Sequence, residues 1–162
     1  VVGDKMINVL FVCLGNICRS PMAEGIFRDR VEKAGLSDKI NVDSAGTGDY
    51  HLGKPPHAET RGILGKAEIS SEGMRARQVQ QSDWDEFDYI VAMDRENMRD
   101  LKGFRAAHDD ITVVKIMDYV ESVEEEDVPD PYFTGNFDYV YNLLTEGCDN
   151  LLSEIKQVNQ LQ

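Results

Sequence analysis

The sequence predicts a single α/β domain, a four-stranded parallel sheet flanked by helices on both faces, with a phosphate-binding loop between the first strand and the first helix. Three observations carry this expectation. Four short apolar runs, Met6 to Val12, Ile40 to Ser44, Tyr89 to Met93 and Ile111 to Met117, have the length and composition of buried strands. Helical patterns lie between them, which implies parallel pairing through crossover connections, with ligands at the carboxyl ends of the strands. The first run leads straight into Cys13-Leu14-Gly15-Asn16-Ile17-Cys18-Arg19-Ser20-Pro21, which reads as a tight loop and a helix start.

Residues 1 to 5 fit no element and read as an expression scar or an alternative start, so the domain is taken as residues 6 to 162. The first helix is predicted from Ser20 to Ala34. Ser20 is its N-cap and Pro21 its first residue, Met22, Ala23, Ile26, Phe27, Val31 and Ala34 form one apolar stripe, and Gly35 is its stop. The second strand closes on Ala45-Gly46-Thr47-Gly48. A surface loop, residues 49 to 56, then precedes a short helix from about His57 to Leu64. Residues 66 to 81 are polar and carry no clear pattern. Asp94 caps a helix through Leu101. Residues 121 to 130 hold six acidic side chains and too few apolar ones to fold by themselves. Phe137, Tyr141, Leu144, Cys148, Leu151, Leu152, Ile155 and Val158 mark a long closing helix whose apolar stripe includes Cys148.

The loop after the first strand has the parts of an oxyanion trap. Five residues separate Cys13 from Arg19, so the backbone must curl and turn its N–H groups inward; Gly15 and Asn16 tolerate the left-handed conformation this requires. The following helix aims its positive end at the loop. Backbone dipoles, the helix end and the Arg19 guanidinium then all favour negative charge on the Cys13 sulfur, which makes Cys13 a candidate nucleophile. The same curl brings Cys18 near Cys13, within reach of a disulfide, so the two are a candidate redox pair.

Composition excludes other classes. The 162 residues are 41% hydrophobic and 29% charged, with no apolar run approaching the roughly 20 residues of a membrane span. A net charge of −13 argues against nucleic acid or an anionic membrane as partner. No signal-peptide pattern opens the chain, so a cytoplasmic location is expected. The three cysteines lack zinc spacing and the three histidines, His51, His57 and His108, are scattered, so neither a metal nor a cofactor is expected.

Cys13-Leu14-Gly15-Asn16-Ile17-Cys18-Arg19-Ser20, with Asp130-Pro131-Tyr132 far downstream, resembles the low-molecular-weight protein tyrosine phosphatase family, its bacterial members above all. The likeness runs on through Asp43-Ser44-Ala45-Gly46-Thr47, Arg75-Ala76-Arg77-Gln78, Met93-Asp94 and Gly135-Asn136, which is essentially the chain from Met6. The resemblance implies phosphotyrosine hydrolysis by way of a cysteinyl-phosphate, no cofactor, and tyrosine-phosphorylated proteins as partners, with phosphate or another oxyanion in the loop. It makes Cys13 the nucleophile, Arg19 the clamp on the phosphoryl oxygens and Asp130 the general acid. It assigns the loop residues Leu14, Gly15, Asn16, Ile17, Cys18 and Ser20 to substrate binding, with Tyr50, Tyr132 and Phe133 as aromatic walls, and gives Asn16, Ser20 and Ser44 the support of the loop.

One departure stands out. Many relatives read His-Arg-Ala-Arg-Gln where this chain has Met74-Arg75-Ala76-Arg77-Gln78, and the family's histidine supports the loop asparagine, so that support is missing for Asn16. Two other families share the loop. Arsenate reductases need further cysteines, and beyond Cys18 only Cys148 remains, on a core helix face. Protein-arginine phosphatases carry threonine where this chain has Ile17; an apolar Ile17 suits an aromatic ring better than a guanidino group. From a different class, a catalytically silent phosphoprotein-binding module would gain little from an intact Cys13, Arg19 and Asp130.

Overall fold

The strands are β1 (Ile7–Cys13), β2 (Ile40–Gly46), β3 (Tyr89–Ala92) and β4 (Thr112–Lys115). The helices are α1 (Arg19–Lys33), α2 (Ala58–Lys66), α3 (Asp83–Glu86), α4 (Arg95–Lys102), α5 (Pro131–Thr134) and α6 (Phe137–Val158). The computed structural model describes residues 5–103 and 110–161, so the reading of residues 1 to 5 falls almost wholly outside the described residues.

All four strands are parallel, in the order β2-β1-β3-β4. The central strand is buried on both faces, which is why its sequence is a continuous apolar run rather than an alternation. Val9, Phe11 and Cys13 face the layer built from α1 and α6; Leu10 and Val12 face Trp84, Phe87 and Leu101 on the other side. Phe11 meets Phe27 edge to face at 5.5 Å between ring centroids. Burying a side chain of the size of Phe27 contributes roughly 1.5–3 kcal/mol, and this contact fixes α1 against the strand whose end carries Cys13. The neighbours of β1 are the next two strands in sequence, one on each side, so the loop leaving β1 emerges at the point where the strand order reverses.

Several expectations need correction. Ser20 does not cap α1: the helix starts one residue earlier, Cys18 occupies the cap position without a side-chain bond, and the Ser20 hydroxyl is spent inside the loop, with Pro21 now at the third helical position. Gly15 does not adopt a left-handed conformation; only Asn16 does, at φ 56°. The fourth run splits, because after Lys115 the chain tightens into a 3₁₀ turn over Ile116–Tyr119; β4 is an edge strand and only half-buried, with Thr112 exposed, while Ile116 and Met117 of the turn are the buried part of the run. β2 runs on to Gly46 and β3 stops at Ala92. Val158 at the end of α6 is exposed, while Val140 and Leu143 join its buried stripe. Gly35 does end α1, with φ 72°, and Asp94 does cap α4, accepting from the Asn97 N–H at 2.8 Å.

The patternless stretch after α2 sends Ile69, Ala76 and Val79 into the core without a regular period and is fixed by polar contacts between them. Gly46 and Gln78 form an isolated parallel bridge, flanked by Gly46 N–H to Arg77 C=O and Val79 N–H to Gly46 C=O, each 2.8 Å. The acidic stretch before α5 is pinned likewise. The Val128 N–H donates to the Met93 carbonyl, the Lys115 ammonium to the Glu126 carbonyl, and the Arg95 N–H to the Asp127 carboxylate.

Candidate active site

The loop between β1 and α1 turns its carbonyls outward. Those of Cys13, Leu14 and Ile17 accept from the backbone N–H groups of Thr47, Gly48 and His57, at 2.9, 2.9 and 2.7 Å. In a trans peptide the N–H points opposite to its carbonyl, so the N–H groups of Leu14, Gly15 and Cys18 are turned the other way, as an anion site needs. The Asn16 N–H donates to the Cys13 sulfur at 3.3 Å. Gly15 is needed for space, since a Cβ there would meet the His51 ring at 2.9 Å.

Beneath the loop lies a buried polar chain. The Asn16 amide nitrogen donates to the Ser20 hydroxyl (2.7 Å) and to the Ser44 hydroxyl (2.9 Å), and the Ser20 oxygen sits 3.0 Å from the Cys13 sulfur. The Asn16 side-chain oxygen accepts from the Arg77 N–H at 3.0 Å, a backbone bond that does not depend on the side chain at position 74. Arg77 is itself clasped by Asp43 and by the buried Asp83, and Asp43 also accepts from the Ser44 N–H. Asn16 and Ser20 therefore carry the loop from below and do not line the cleft.

Arg19 is the largest fully buried side chain among the described residues, 2% exposed. One terminal nitrogen donates to Asp94 (2.8 Å) and to the Val128 carbonyl (2.9 Å); the other reaches Asp130 at 3.5 Å. Its Nε has no partner among the described residues. Burial alone would lower the Arg19 pKa, but the Cys13 sulfur, the Asp94 hydrogen bond and the Asp130 and Asp94 charges outweigh it and raise the value, so the cation persists. A buried N–H left unmatched in an otherwise satisfied guanidinium implies a ligand acceptor.

Asp130 begins α5, where one carboxylate oxygen accepts from the Tyr132 N–H and the other faces Arg19. Cys13, Arg19 and Asp130 open on one cleft of about 360 Å³, lined also by Leu14, Gly15, Ile17, Cys18, Tyr50, His51, Tyr132 and Phe133. That volume suits an aryl phosphate. Tyr50, Tyr132 and Phe133 are exposed at its rim. Tyr132 packs against the rings of His51 (5.8 Å), His57 (6.2 Å) and Phe133 (5.2 Å), which holds this wall upright.

Sequence reasoning missed Asp94 as an Arg19 partner, His51 as a lining residue, Arg77 as the anchor of Asn16, and Glu24. Asp94 was legible only as a helix cap; His51, Arg77 and Glu24 read as ordinary polar residues facing solvent. Cys18 lies buried in the loop, and burial, with the nearby Cys13 and Asp130, pushes its thiol up to about 12. Cys148 sits in the core against α1, its sulfur 3.8 Å from the Ala23 carbonyl. Among the described residues no group of His, Cys, Asp or Glu is arranged to hold a metal ion, and no helix is long and apolar enough to cross a membrane.

Residues 8–161 match the model of the low molecular weight phosphotyrosine protein phosphatase family. The chain is 53% identical over 156 residues to the low molecular weight protein-tyrosine-phosphatase YfkJ of Bacillus subtilis, covering 96% of this chain and all of that protein. The crystal structure of YfkJ superposes with a TM-score of 0.90, covering 94% of this chain and 96% of that one. The protein-tyrosine-phosphatase PtpA of Staphylococcus epidermidis is 46% identical over 93% of this chain and 94% of its own length. A Drosophila arginine phosphatase shares the fold at 34% identity and a TM-score of 0.84, over 91% of this chain and 97% of that one. With this coverage and the Cys13 loop at the switch point of the sheet, the chain belongs to the low molecular weight phosphotyrosine protein phosphatase family of hydrolases.

Proposed function

We propose that this protein hydrolyses phosphotyrosine in protein substrates through a phosphate carried on Cys13, with Arg19 as the clamp and Asp130 as general acid and then base. The observation that carries the reading is that Cys13, Arg19 and Asp130 line one aromatic-rimmed cleft, with the Arg19 Nε partnerless among the described residues. The Cys13 thiolate attacks phosphorus while Arg19 and the loop N–H groups hold the equatorial oxygens, over which charge spreads. The protonated Asp130 gives its proton to the departing tyrosine oxygen; as carboxylate it then takes one from the water that attacks the phosphocysteine. Phosphate leaves and the thiolate is restored. Tyr50, Tyr132 and Phe133 sandwich the substrate ring, and the apolar Ile17 at the cleft wall suits it. The unit doing this is one domain, residues 6 to 162, in the cytoplasm.

The test is a phosphate-release panel on phosphotyrosine, phosphoarginine and phosphoserine peptides, run beside Cys13→Ser. Release from phosphotyrosine alone, abolished in Cys13→Ser, is expected. Preferred release from phosphoarginine would transfer the assignment to a protein-arginine phosphatase, and binding without release would make the chain a phosphoprotein-binding module.

Redox control belongs to the same proposal. Peroxide converts the Cys13 thiolate to a sulfenic acid, and the Cys18 sulfur displaces water from it to form a disulfide that small thiols reduce. The Cys18 thiol is held protonated first by burial and then by the neighbouring Cys13 and Asp130 charges, and oxidation of Cys13 removes one of these lesser contributions. Mild peroxide followed by dithiothreitol should restore most wild-type activity and little in Cys18→Ser. Equal recovery in both, or no crosslinked peptide by mass spectrometry, removes Cys18 from the mechanism.

A further inference from the structure

The polar chain beneath the loop does not end at Ser44. The Ser44 hydroxyl lies 2.6 Å from Oε1 of Glu24, a carboxylate on α1 that is only 6% exposed. The other oxygen of Glu24 accepts from the Arg28 guanidinium one turn along the same helix, at 2.5 Å, and that nitrogen also donates to the Val42 carbonyl of β2 at 2.8 Å. A buried carboxylate is costly unless it is paired, and Glu24 is paired on both oxygens, with Arg28 and with Ser44.

Donor counting gives the chain a direction. The Arg77 N–H meets the Asn16 amide oxygen, so the amide nitrogen must face the two serines and donates one hydrogen to each. Each hydroxyl, having received a hydrogen, passes its own onward. An ionised carboxylate only accepts, so Ser44 gives its hydrogen to Glu24; Ser20 is left to give its hydrogen to the Cys13 sulfur at 3.0 Å, its alternative acceptor, the Ala45 carbonyl, lying farther off at 3.5 Å. The Asn16 amide is thus held between two hydroxyls, each drawn outward by an anion.

We propose that Glu24, held by Arg28, is a positioning residue for the Cys13 nucleophile: by taking the Ser44 hydrogen it fixes the Ser44–Asn16–Ser20 chain so that Ser20 donates to the sulfur. This rests on Cys13 being the nucleophile. In Glu24→Gln the new amide turns its oxygen to Arg28 and its nitrogen to Ser44, so two donors converge on Ser44 while its own hydrogen loses its acceptor. In Arg28→Met the carboxylate is left buried and unpaired.

The test is a double-mutant cycle on nitrophenyl phosphate turnover, with phosphate inhibition and iodoacetate labelling of Cys13 measured alongside and thermal unfolding used to set a temperature at which each variant is folded. Glu24→Gln and Arg28→Met should each lower kcat and the labelling rate by roughly three- to thirty-fold, as expected for coupled members of one network. Phosphate inhibition should move less than about two-fold, because the oxyanion rests on Arg19 and loop backbone. Arg28→Lys, which keeps the charge, should recover most of the rate. In a Ser44→Ala background, where there is no hydrogen for Glu24 to accept, adding either substitution should change kcat by less than about two-fold. Losses that multiply with that of Ser44→Ala, or singles with unchanged kcat, overturn the proposal. If Glu24→Gln does not fold, the Arg28 pair and its cycle with Ser44→Ala decide it. Cys13→Ser runs beside the set: activity surviving there defeats the nucleophile reading itself, a different result from failure of the cycle.

Discussion

Asp130→Ala is expected to lower kcat on a phosphotyrosine peptide by roughly a hundred- to ten-thousand-fold, the span over which a positioned general acid acts. The loss should depend on the leaving group. Tyrosine leaves poorly without a proton, whereas nitrophenolate is already a stable anion, so nitrophenyl phosphate should lose much less in kcat/KM, which reports the first half of the cycle. This contrast separates two roles the geometry allows. Asp130 also touches the Arg19 guanidinium at 3.5 Å, and a carboxylate that merely steadied Arg19 would weaken both substrates alike. Parallel kcat/KM measurements on the two substrates check this; equal losses would reassign Asp130 to holding Arg19.

Arg19→Lys should lower kcat by about a hundred- to a thousand-fold despite keeping the charge, the range seen when one preorganised oxyanion donor is lost. The guanidinium does several things at once that an ammonium cannot. It satisfies Asp94 and the Val128 carbonyl from one nitrogen, reaches Asp130 with another, and still keeps Nε unpaired among the described residues. A lysine has three hydrogens on one atom and no planar edge, so meeting Asp94 takes it away from the phosphate. Phosphate inhibition should weaken together with turnover, in contrast to Asp130→Ala, where the oxyanion site stays whole. Unchanged phosphate inhibition in Arg19→Lys would mean that the guanidinium is structural.

What could be read in advance was whatever the chain encodes locally. The strand, the five-residue spacing of Cys13 and Arg19, and the stripes of α1 and α6 are short-range patterns. Phe11, Met22, Phe27 and Leu144 lie where periodicity puts them, in the core. Residues whose partners lie far along the chain were misread as local devices. Ser20 has the form of a helix cap, but Asn16 and Cys13 claim its hydroxyl. Asp94 is a cap, yet its second oxygen holds Arg19, 75 residues away. Glu24 looks like a solvent-facing position of α1 until β2 brings Ser44 over it. The stretch after α2 gave no pattern because its buried residues, Ile69, Met74, Ala76 and Val79, follow no regular period and the ion pairs of Arg77 with Asp43 and Asp83 join parts far apart in sequence.

The central claim is that the phosphoryl group travels through Cys13. If Asp130 also activates the water, Asp130→Ala slows the second half of the cycle, and a leaving group that departs unaided still loads the sulfur. That variant should therefore be mixed with nitrophenyl phosphate, quenched at short times and digested for mass spectrometry. The account predicts one phosphate on the peptide carrying Cys13, appearing with the nitrophenolate burst and absent when Cys13→Ser is added. Stoichiometric nitrophenolate release with no phosphate on Cys13 would contradict it.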